Sequence, residues 1–298
     1  MEFLSKNLGY LLAGISAGGQ YALIAIGYTM VYGILRLINF AHGDVFMVAG
    51  LVGIYLAGSM PLYIALPLVI VITAVLAFFI ERVAYKPLRQ APRMSVMISA
   101  IGVSYLLQNA ATYITGGQPM TYPTIPGLSE TILIAGTPTK WVVILTPILV
   151  VILVLLLTFL INRTKVGMAM RAVAKDMETA QLMGIKINSV ISVTFIIGSA
   201  LAAIGSILYF TNYNAVVPTI GALPGLKAFV AAVFGGIGSS PGAVIGAFII
   251  GICETIIKGL PSAWDVSVFS DAFTFALLII ILVFKPTGLF GEKATDKV

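Results

Sequence analysis

Charged residues are scarce in this chain, because Asp, Glu, Lys and Arg make up 9% of its 298 residues. Soluble proteins carry about a quarter. The sequence holds one cysteine, Cys253, and one histidine, His42. A single cysteine excludes a disulfide framework within the chain, and one histidine with scattered carboxylates does not make the ligand set of a typical metal site.

Signatures of catalysis are also missing. The glycine-rich stretch Gly235–Gly238 is followed by Ser239, Ser240 and Pro241, without the lysine that a phosphate-binding loop requires. The sequence has no nucleophile elbow, zinc-protease helix or cluster of acids. We therefore expect neither an enzyme nor a cofactor site in this chain, and no ATPase site of its own.

Apolar residues fill the sequence instead, at 59% of the chain and a mean hydropathy of +1.07. Windows of about 20 apolar residues, enough to cross the hydrocarbon of a bilayer as a helix, recur along it. The predicted fold is therefore an all-α integral membrane protein, a polytopic bundle of about eight or nine spans forming one domain over residues 1–298. The predicted spans are 8–35, 44–59, 62–82, 95–114, 141–161, 190–210, 225–238, 241–259 and 268–285.

Basic residues indicate the orientation of these spans. Most of them lie in two segments between apolar runs: Arg82, Lys86, Arg89 and Arg93 in the first, and Arg163, Lys165, Arg171, Lys175 and Lys186 in the second. Short loops rich in lysine and arginine stay in the cytoplasm. Both segments are therefore predicted to be cytoplasmic, the intervening segment 115–140 external, and the N-terminus external.

Two segments interrupt the apolar pattern at membrane depth, residues 35–44 and 234–242. Each precedes a helix rich in small residues, which predicts broken or re-entrant helices in corresponding positions of a repeat. Interrupted helices of this kind indicate a translocation site. Spacings such as Gly14 with Gly18, and Gly242 with Gly246, indicate close helix packing.

Polar residues inside the spans are the candidates for a translocation path or gate: Gln20, Asn39, His42, Asp44, Asn109, Gly235, Gly236 and Glu254. Asp44 has two interpretations, a helix cap or part of an inner gate together with Asn39 and His42. Glu254 is either a proton-relay group or a structural acid with Lys258 as a local partner one turn away. Gln20 and Asn109 are expected to face the bundle interior, because lipid penalises polar groups.

The one long polar run, residues 163–188, is predicted to be a helix that lies outside the membrane. Apolar residues such as Met168 and Met183 mix there with charges that a lipid-facing span could not carry. Such a helix rests either on the bilayer surface or in a groove of a partner protein.

Several blocks, in order along nearly the whole chain, resemble the branched-chain amino acid permeases of ATP-binding-cassette (ABC) importers, of the LivH type. The matching blocks are Tyr21–Gly33, Ile38–Asp44, Ile80–Arg89, Ile98–Gly102, Arg171–Asp176, Leu182–Ile185, Lys227–Ser239, Pro241–Gly242 and Pro286–Gly288. Asp44 stands where that family often has Glu, and the 115–140 segment has little similarity.

The resemblance implies the partners of the chain. They are a homologous LivM-like permease, two cytoplasmic ATPases that bind ATP and magnesium, and a periplasmic amino-acid-binding protein. It also implies that 167–185 is a coupling helix seated on an ATPase. The residues that match the family there are Arg171, Ala172, Asp176, Thr179, Ala180 and Gly184.

The expected function is therefore that of a permease subunit importing leucine, isoleucine and valine across the bacterial inner membrane. Two alternatives remain at this point. One is a permease of the same superfamily for another small solute, such as urea, a short amide or a sugar. The other is a proton-coupled carrier acting alone, in which Glu254 would be essential.

Overall fold

The structure, a computed structural model, describes residues 2–89, 91–134, 137–259, 269–285 and 287–291. Helices dominate these residues and are numbered in chain order. They are α1 (Glu2–Leu35), α2 (His42–Ser59), α3 (Leu62–Ile80), α4 (Arg93–Thr115), α5 (Trp141–Arg163), α6 (Lys165–Lys175), α7 (Met177–Leu182), α8 (Ile187–Tyr213), α9 (Ala222–Gly235), α10 (Ser240–Lys258) and α11 (Ser270–Phe284).

The helices confirm the predicted membrane bundle. Seven of them in the described ranges are long and apolar enough to cross a bilayer, and α9 and α11 are shorter apolar helices. Each predicted span coincides with one of these nine helices. The end predicted for the third span, residue 82, is too early, because a π-helical turn (Glu81–Tyr85) and a 3-10 turn (Lys86–Leu88) extend α3.

Helix α1 runs through the centre of the bundle, where Leu23 and Ile24 are fully buried. It packs closely against α10 through small residues: a Cβ atom built on Gly18 would lie 2.7 Å from the Cα atom of Phe248. Gly246 similarly approaches the backbone of Ala231 on α9. The glycine spacings therefore mark close packing, as predicted, since association inside lipid depends on backbone approach.

Helices at the periphery keep apolar side chains exposed. Helix α4 is the least buried of the seven long spans, with 17% of its apolar window inside the bundle. Tyr105, Leu106 and Tyr113 are more than three-fifths exposed there. Surfaces of this composition contact lipid or another membrane subunit.

One end of the bundle carries short strands that the all-α prediction did not include. Strand β1 (Met120–Thr121) pairs with β4 (Ala215–Val216), and β2 (Thr131–Ile134) forms a hairpin with β3 (Thr137–Lys140). A Cβ atom on Gly9 of α1 would touch Thr137, so the start of α1 lies at this end as well. Strands of two to four residues leave too short a pattern in the sequence to be recognised.

The two basic segments meet at the opposite end. A guanidinium N–H of Arg89, after α3, donates to the side-chain oxygen of Asn188 in the first turn of α8. Their common location agrees with the charge-based topology, which requires both segments on one side of the membrane.

Each predicted interruption contains a non-helical break, which is shorter than the predicted 35–44 and 234–242. Residues 36–41 separate α1 from α2, and residues 236–239 separate α9 from α10. Gly236 and Gly238 adopt φ angles of 111° and 100°, which favour glycine. The first break places the start of α2 inside the bundle, where His42, Gly43 and Asp44 are buried, whereas Ser240 is half-buried and Pro241 exposed at the start of α10.

Candidate functional site

Asn39, whose side chain is buried, stabilises the first break, residues 36–41 between α1 and α2. Its Oδ1 atom accepts a hydrogen bond of 3.1 Å from the amide of Ala41 and one of 2.6 Å from the hydroxyl of Tyr85. Tyr85 belongs to the π-helical turn after α3. Asn39 therefore caps the local turn and also links the break to the end of the bundle where the basic segments lie.

His42 opens α2 and is 2% exposed. Its ring contacts Tyr28 edge-on, at a centroid distance of 5.1 Å, and it packs against α1 where a Cβ atom on Gly27 would lie 2.1 Å from Nε2. Nε2 has no hydrogen-bond partner in the described ranges. The imidazole thus fills a gap that only glycine leaves on α1.

Asp44 does not cap α2. The residue before the helix is Ala41, and no side chain caps this N-terminus. The carboxylate reaches α4 instead, where it accepts a hydrogen bond of 2.5 Å from Ser104 and one of 3.0 Å from Gln108. The capping interpretation is therefore wrong for the Asp44 side chain, which joins two membrane helices.

The start of α2 also meets α9 at backbone distance. A Cβ atom on Gly43 would lie 2.5 Å from the carbonyl oxygen of Gly221 and 2.9 Å from the Cα atom of Gly225. This contact brings the first break against the beginning of α9. Next to it, a narrow apolar cleft is lined by Tyr28, Tyr32, Ile38, Phe229, Ala232 and Ile237.

Glu254 lies in a cluster of charges that the sequence only partly indicated. Its carboxylate contacts the ammonium groups of Lys227 at 2.7 Å and Lys258 at 2.5 Å, and accepts a hydrogen bond of 2.9 Å from Tyr21. Lys227 also contacts Asp271 at 2.7 Å. Lys258 was expected as a partner, whereas Lys227, within the apolar α9, was not.

The remaining residues predicted to line the translocation path do not contact the charges around Glu254. Gln20 is fully buried and its amide atoms have no partner in the described residues. The expectation that Asn109 faces the bundle interior is wrong for this chain, because Asn109 is exposed on α4, where it donates to the carbonyl of Tyr105 in its own helix. Gly235 packs against Gly242, and Gly236 against Gly291.

The polar run is two helices, α6 and α7, where the sequence predicted one. Asp176 separates them in an extended conformation, and its carboxylate caps α7 by accepting hydrogen bonds from the amides of Glu178 and Thr179. Thr164 caps α6 in the same way through the amide of Gly167. Caps of this kind satisfy the free amides of a helix start, which explains the division.

Gly184 ends α7 with a φ angle of 83°. The amide of Ile185 donates to the carbonyl of Ala180, and the amide of Gly184 to that of Gln181, which is a Schellman motif. Gly184 therefore ends α7 in a left-handed conformation, which glycine adopts without strain. Ala180 is buried within the chain, so it packs inwards.

The outward surface of α6 and α7 is apolar and basic. Met168, Leu182 and Met183 are 61%, 88% and 79% exposed. Arg171 is exposed and donates to the side-chain oxygen of Asn162, 3.0 Å away. An exposed surface with large apolar side chains next to a cation is typical of a binding site for another protein.

A buried acid behind this surface, Glu81, was not predicted from the sequence. Glu81, in the π-helical turn, is fully buried; it forms an ion pair with Arg89 and accepts a hydrogen bond of 2.7 Å from Ser192. Because Arg89 also bonds Asn188, this network joins α3 to the first two turns of α8. The only signal in the sequence was an isolated acid within a basic segment.

These arrangements contain hydrogen-bond donors and acceptors but no obvious metal site. Within the described ranges, no three or more His, Cys, Asp or Glu side chains are grouped so that they could hold a metal ion.

Comparison with known proteins gives consistent matches. Residues 10–282 match the family model described as the permease component of branched-chain amino acid transport systems. The chain is 40% identical to the high-affinity branched-chain amino acid transport permease BraD of Pseudomonas aeruginosa, over all of both chains. It is also 40% identical to LivH of Escherichia coli K12, over 98% of this chain and 97% of the relative.

A solved structure shares the fold at low sequence identity. The structure, assigned to a metal-chelate type of ABC transporter in an inward-facing conformation, superposes with a TM-score of 0.52 and 15% identity. The match covers 93% of this chain and 85% of that one.

Proposed function

Because the chain belongs to the family of permease components of branched-chain amino acid transport systems, we propose that it imports leucine, isoleucine and valine as one permease subunit of an ABC importer. The membrane is the bacterial inner membrane. The other subunits are a homologous LivM-like permease, two cytoplasmic ATPases that bind ATP and magnesium, and a periplasmic amino-acid-binding protein.

The observation that supports this proposal best is the surface of α6 and α7, the coupling segment. It lies between two long membrane helices, α5 and α8, at the end of the bundle that carries the basic residues. Arg171 and the exposed Met168, Leu182 and Met183 offer a cation surrounded by apolar area. An ATPase docked there would push directly on α8, which begins five residues after Leu182.

Contacts behind the coupling segment lead towards the candidate path. The first two turns of α8 bond Arg89 and Glu81, and Tyr85 in the same π-helical turn bonds Asn39 in the first break. Movement of the coupling segment could thus change the position of the α1–α2 break. Rocking of packed helices between two access states is a common way for transporters to move a solute.

The charges around Glu254 argue against the proton-coupled alternative. Two lysines pair with its carboxylate, so the negative charge is already compensated inside the bundle, as in a structural acid. The cluster instead joins α1, α9, α10 and α11.

The proposal is tested by ATP-dependent uptake of radiolabelled leucine in proteoliposomes that hold the two permeases and the ATPases. Leucine-loaded binding protein is added to the assay. Arg171→Glu should reduce uptake at least about tenfold, because a charge-assisted contact across a protein interface contributes roughly 1.5–3 kcal/mol and reversal adds repulsion. Arg93→Glu is the matched control, since Arg93 is an exposed arginine at the start of α4.

Leucine uptake that persists without the ATPases, or in the Arg171→Glu complex at the unmodified rate, would contradict the proposal. Uptake of urea or a short amide in place of leucine by the complete complex would favour the alternative solute class.

A further inference from the structure

The carboxylate of Asp44 is a buried negative charge whose partners are neutral. The residue is 2% exposed, and among the described residues its oxygens accept hydrogen bonds only from Ser104 and Gln108. The ion pairs within the described ranges all involve other acids, namely Glu81, Glu254 and Asp271. An ionised carboxylate offers about four lone-pair positions, so it has room for a further donor.

Its position is deep in the bundle. Asp44 is in the first turn of α2, directly after the first break, and it reaches α4 at Ser104, near the middle of that 23-residue helix. A charge at this depth is costly unless it faces a water-filled cavity or finds a partner of opposite charge. The described part of the chain supplies no such partner, which leaves the place open for a cation from outside the chain.

The hydrogen-bonding groups around Asp44 continue to a face that this chain does not cover. Ser104 and Gln108 are half-buried, and Asn109 and Thr112, further along α4, are exposed. The Asn109 amide donates to the carbonyl of Tyr105 and the Thr112 hydroxyl to the carbonyl of Gln108, and each side chain keeps an acceptor that water or a polar solute can use. Exposed polar side chains at this part of α4 are consistent with a polar space there in an assembled transporter.

We propose that Asp44, held in place by Ser104 and Gln108, is the subsite that receives the ammonium group of the amino acid during its passage. The inference rests on the proposed function. An ammonium group donates three hydrogen bonds and carries the charge that Asp44 lacks nearby. The same carboxylate repels a solute that carries a carboxylate without an ammonium group, so the subsite favours zwitterions over carboxylic acids.

The test measures two quantities in proteoliposomes with the complete complex and leucine-loaded binding protein: leucine uptake and the ATP hydrolysis that the loaded binding protein stimulates. A contact with the solute affects the leucine moved per ATP hydrolysed. A purely structural role of Asp44 would change both quantities together, because it would act through assembly.

Asp44→Asn should reduce leucine moved per ATP by about tenfold or more, while stimulated hydrolysis stays near the unmodified level. Asp44→Glu, which keeps the charge, should retain more of this ratio than Asp44→Asn. Ser104→Ala should lower the ratio less, since it removes one hydrogen bond and leaves the carboxylate. Thr158→Val on α5 is the control, because the Thr158 hydroxyl bonds only the carbonyl of Val154 in its own helix.

An Asp44→Asn complex with the unmodified ratio would overturn the inference, as would parallel loss of uptake and hydrolysis in both Asp44→Asn and Ser104→Ala. If Asp44→Asn does not assemble, Ser104→Ala and Gln108→Leu decide the matter: a lower ratio supports the subsite, and an unchanged ratio overturns it. Absence of leucine uptake by the unmodified complex would instead contradict the proposed function.

Discussion

Lys227 on α9 and Glu254 on α10 form an ion pair of 2.7 Å between side chains that are 7% and 4% exposed. The same lysine holds Asp271 at the start of α11, and the same glutamate holds Lys258 and the hydroxyl of Tyr21. Four helices therefore meet at one group of opposite charges. Such a group stabilises a bundle only while every member keeps its partner, because an unpaired buried charge is costly.

Removing Lys227 should destabilise the permease strongly. Lys227→Met leaves the buried Glu254 with only the half-exposed Lys258, so the cost should approach the about 3–5 kcal/mol of breaking a buried pair. Lys258→Met is the matched control, because that ammonium is 47% exposed and exposed pairs contribute roughly 0–1 kcal/mol. Thermal unfolding of the purified variants compares the two.

The double variant Lys227→Met with Glu254→Met should be more stable than Lys227→Met alone, since it removes the buried carboxylate that has lost its buried partner, and Lys258 is exposed enough to be hydrated. Asp271, which is 41% exposed, can remain hydrated. A double variant that unfolds at a lower temperature than the single one would contradict this explanation.

The link between α3 and α8 is expected to require the guanidinium group of Arg89 and not merely a positive charge. One nitrogen of Arg89 bonds Glu81 and another bonds Asn188, so one side chain joins α3 to α8. Arg89→Lys offers a single ammonium that cannot replace both contacts. We expect a loss of about 1–2 kcal/mol of stability and slower ATP-dependent leucine uptake, because this network lies behind the coupling segment.

Arg82→Lys provides the comparison for Arg89. Arg82 is exposed and lies over the ring of Phe78, at 5.1 Å from its centre, a contact that lysine can also make. The free energy of unfolding of the Arg82→Lys variant should change by less than about 0.5 kcal/mol. Equal effects of the two substitutions would show that the bridge between α3 and α8 is unimportant.

Gly18→Ala should weaken the packing of α1 on α10. The added Cβ atom would lie 2.7 Å from the Cα atom of Phe248 and 2.9 Å from the carbonyl oxygen of Ala247, so the backbones must separate. Overpacking of this kind costs roughly 1–3 kcal/mol. The amount of folded protein in membranes and its thermal unfolding measure the effect.

Gly33→Ala on the same helix is the control for this substitution. A Cβ atom at Gly33 meets no other atom within 4 Å, and alanine favours a helix over glycine by about 0.5–1 kcal/mol. Gly33→Ala should therefore be neutral or stabilising. Similar loss of stability in both variants would show that helix propensity, and not packing, governs α1.

Much of the fold could be predicted because each span must satisfy its own backbone hydrogen bonds inside lipid. A run of apolar residues then specifies a helix with little help from the rest of the chain, and the nine predicted spans coincide with helices. The two breaks could be predicted for the same reason, since Asn39 and Gly236 interrupt apolar runs. The strands β1 and β4 could not, because they pair residues 120–121 with 215–216 across several helices.

The candidate sites were predictable to a smaller extent. Asp44 and Glu254 were recognised as polar groups in apolar surroundings, but their partners lie on other helices. Ser104 is 60 positions from Asp44, and Lys227 is 27 from Glu254. Glu81 was overlooked because a carboxylate within a basic segment is ordinarily hydrated, and only the structure shows that it is fully buried.

The sequence by itself determined a helical membrane protein, the positions of its spans and the location of its polar run, because hydrophobic length and charge distribution act locally along the chain. The tertiary structure alone decided which charges are compensated. Glu254 is neutralised because α9 brings Lys227 to it, whereas Asp44 meets, in the described part of the chain, a hydroxyl and an amide donor because α4 presents Ser104 and Gln108 at that depth. Electrostatic energy depends on distance in space and on burial, and neither quantity can be read from spacing along the chain.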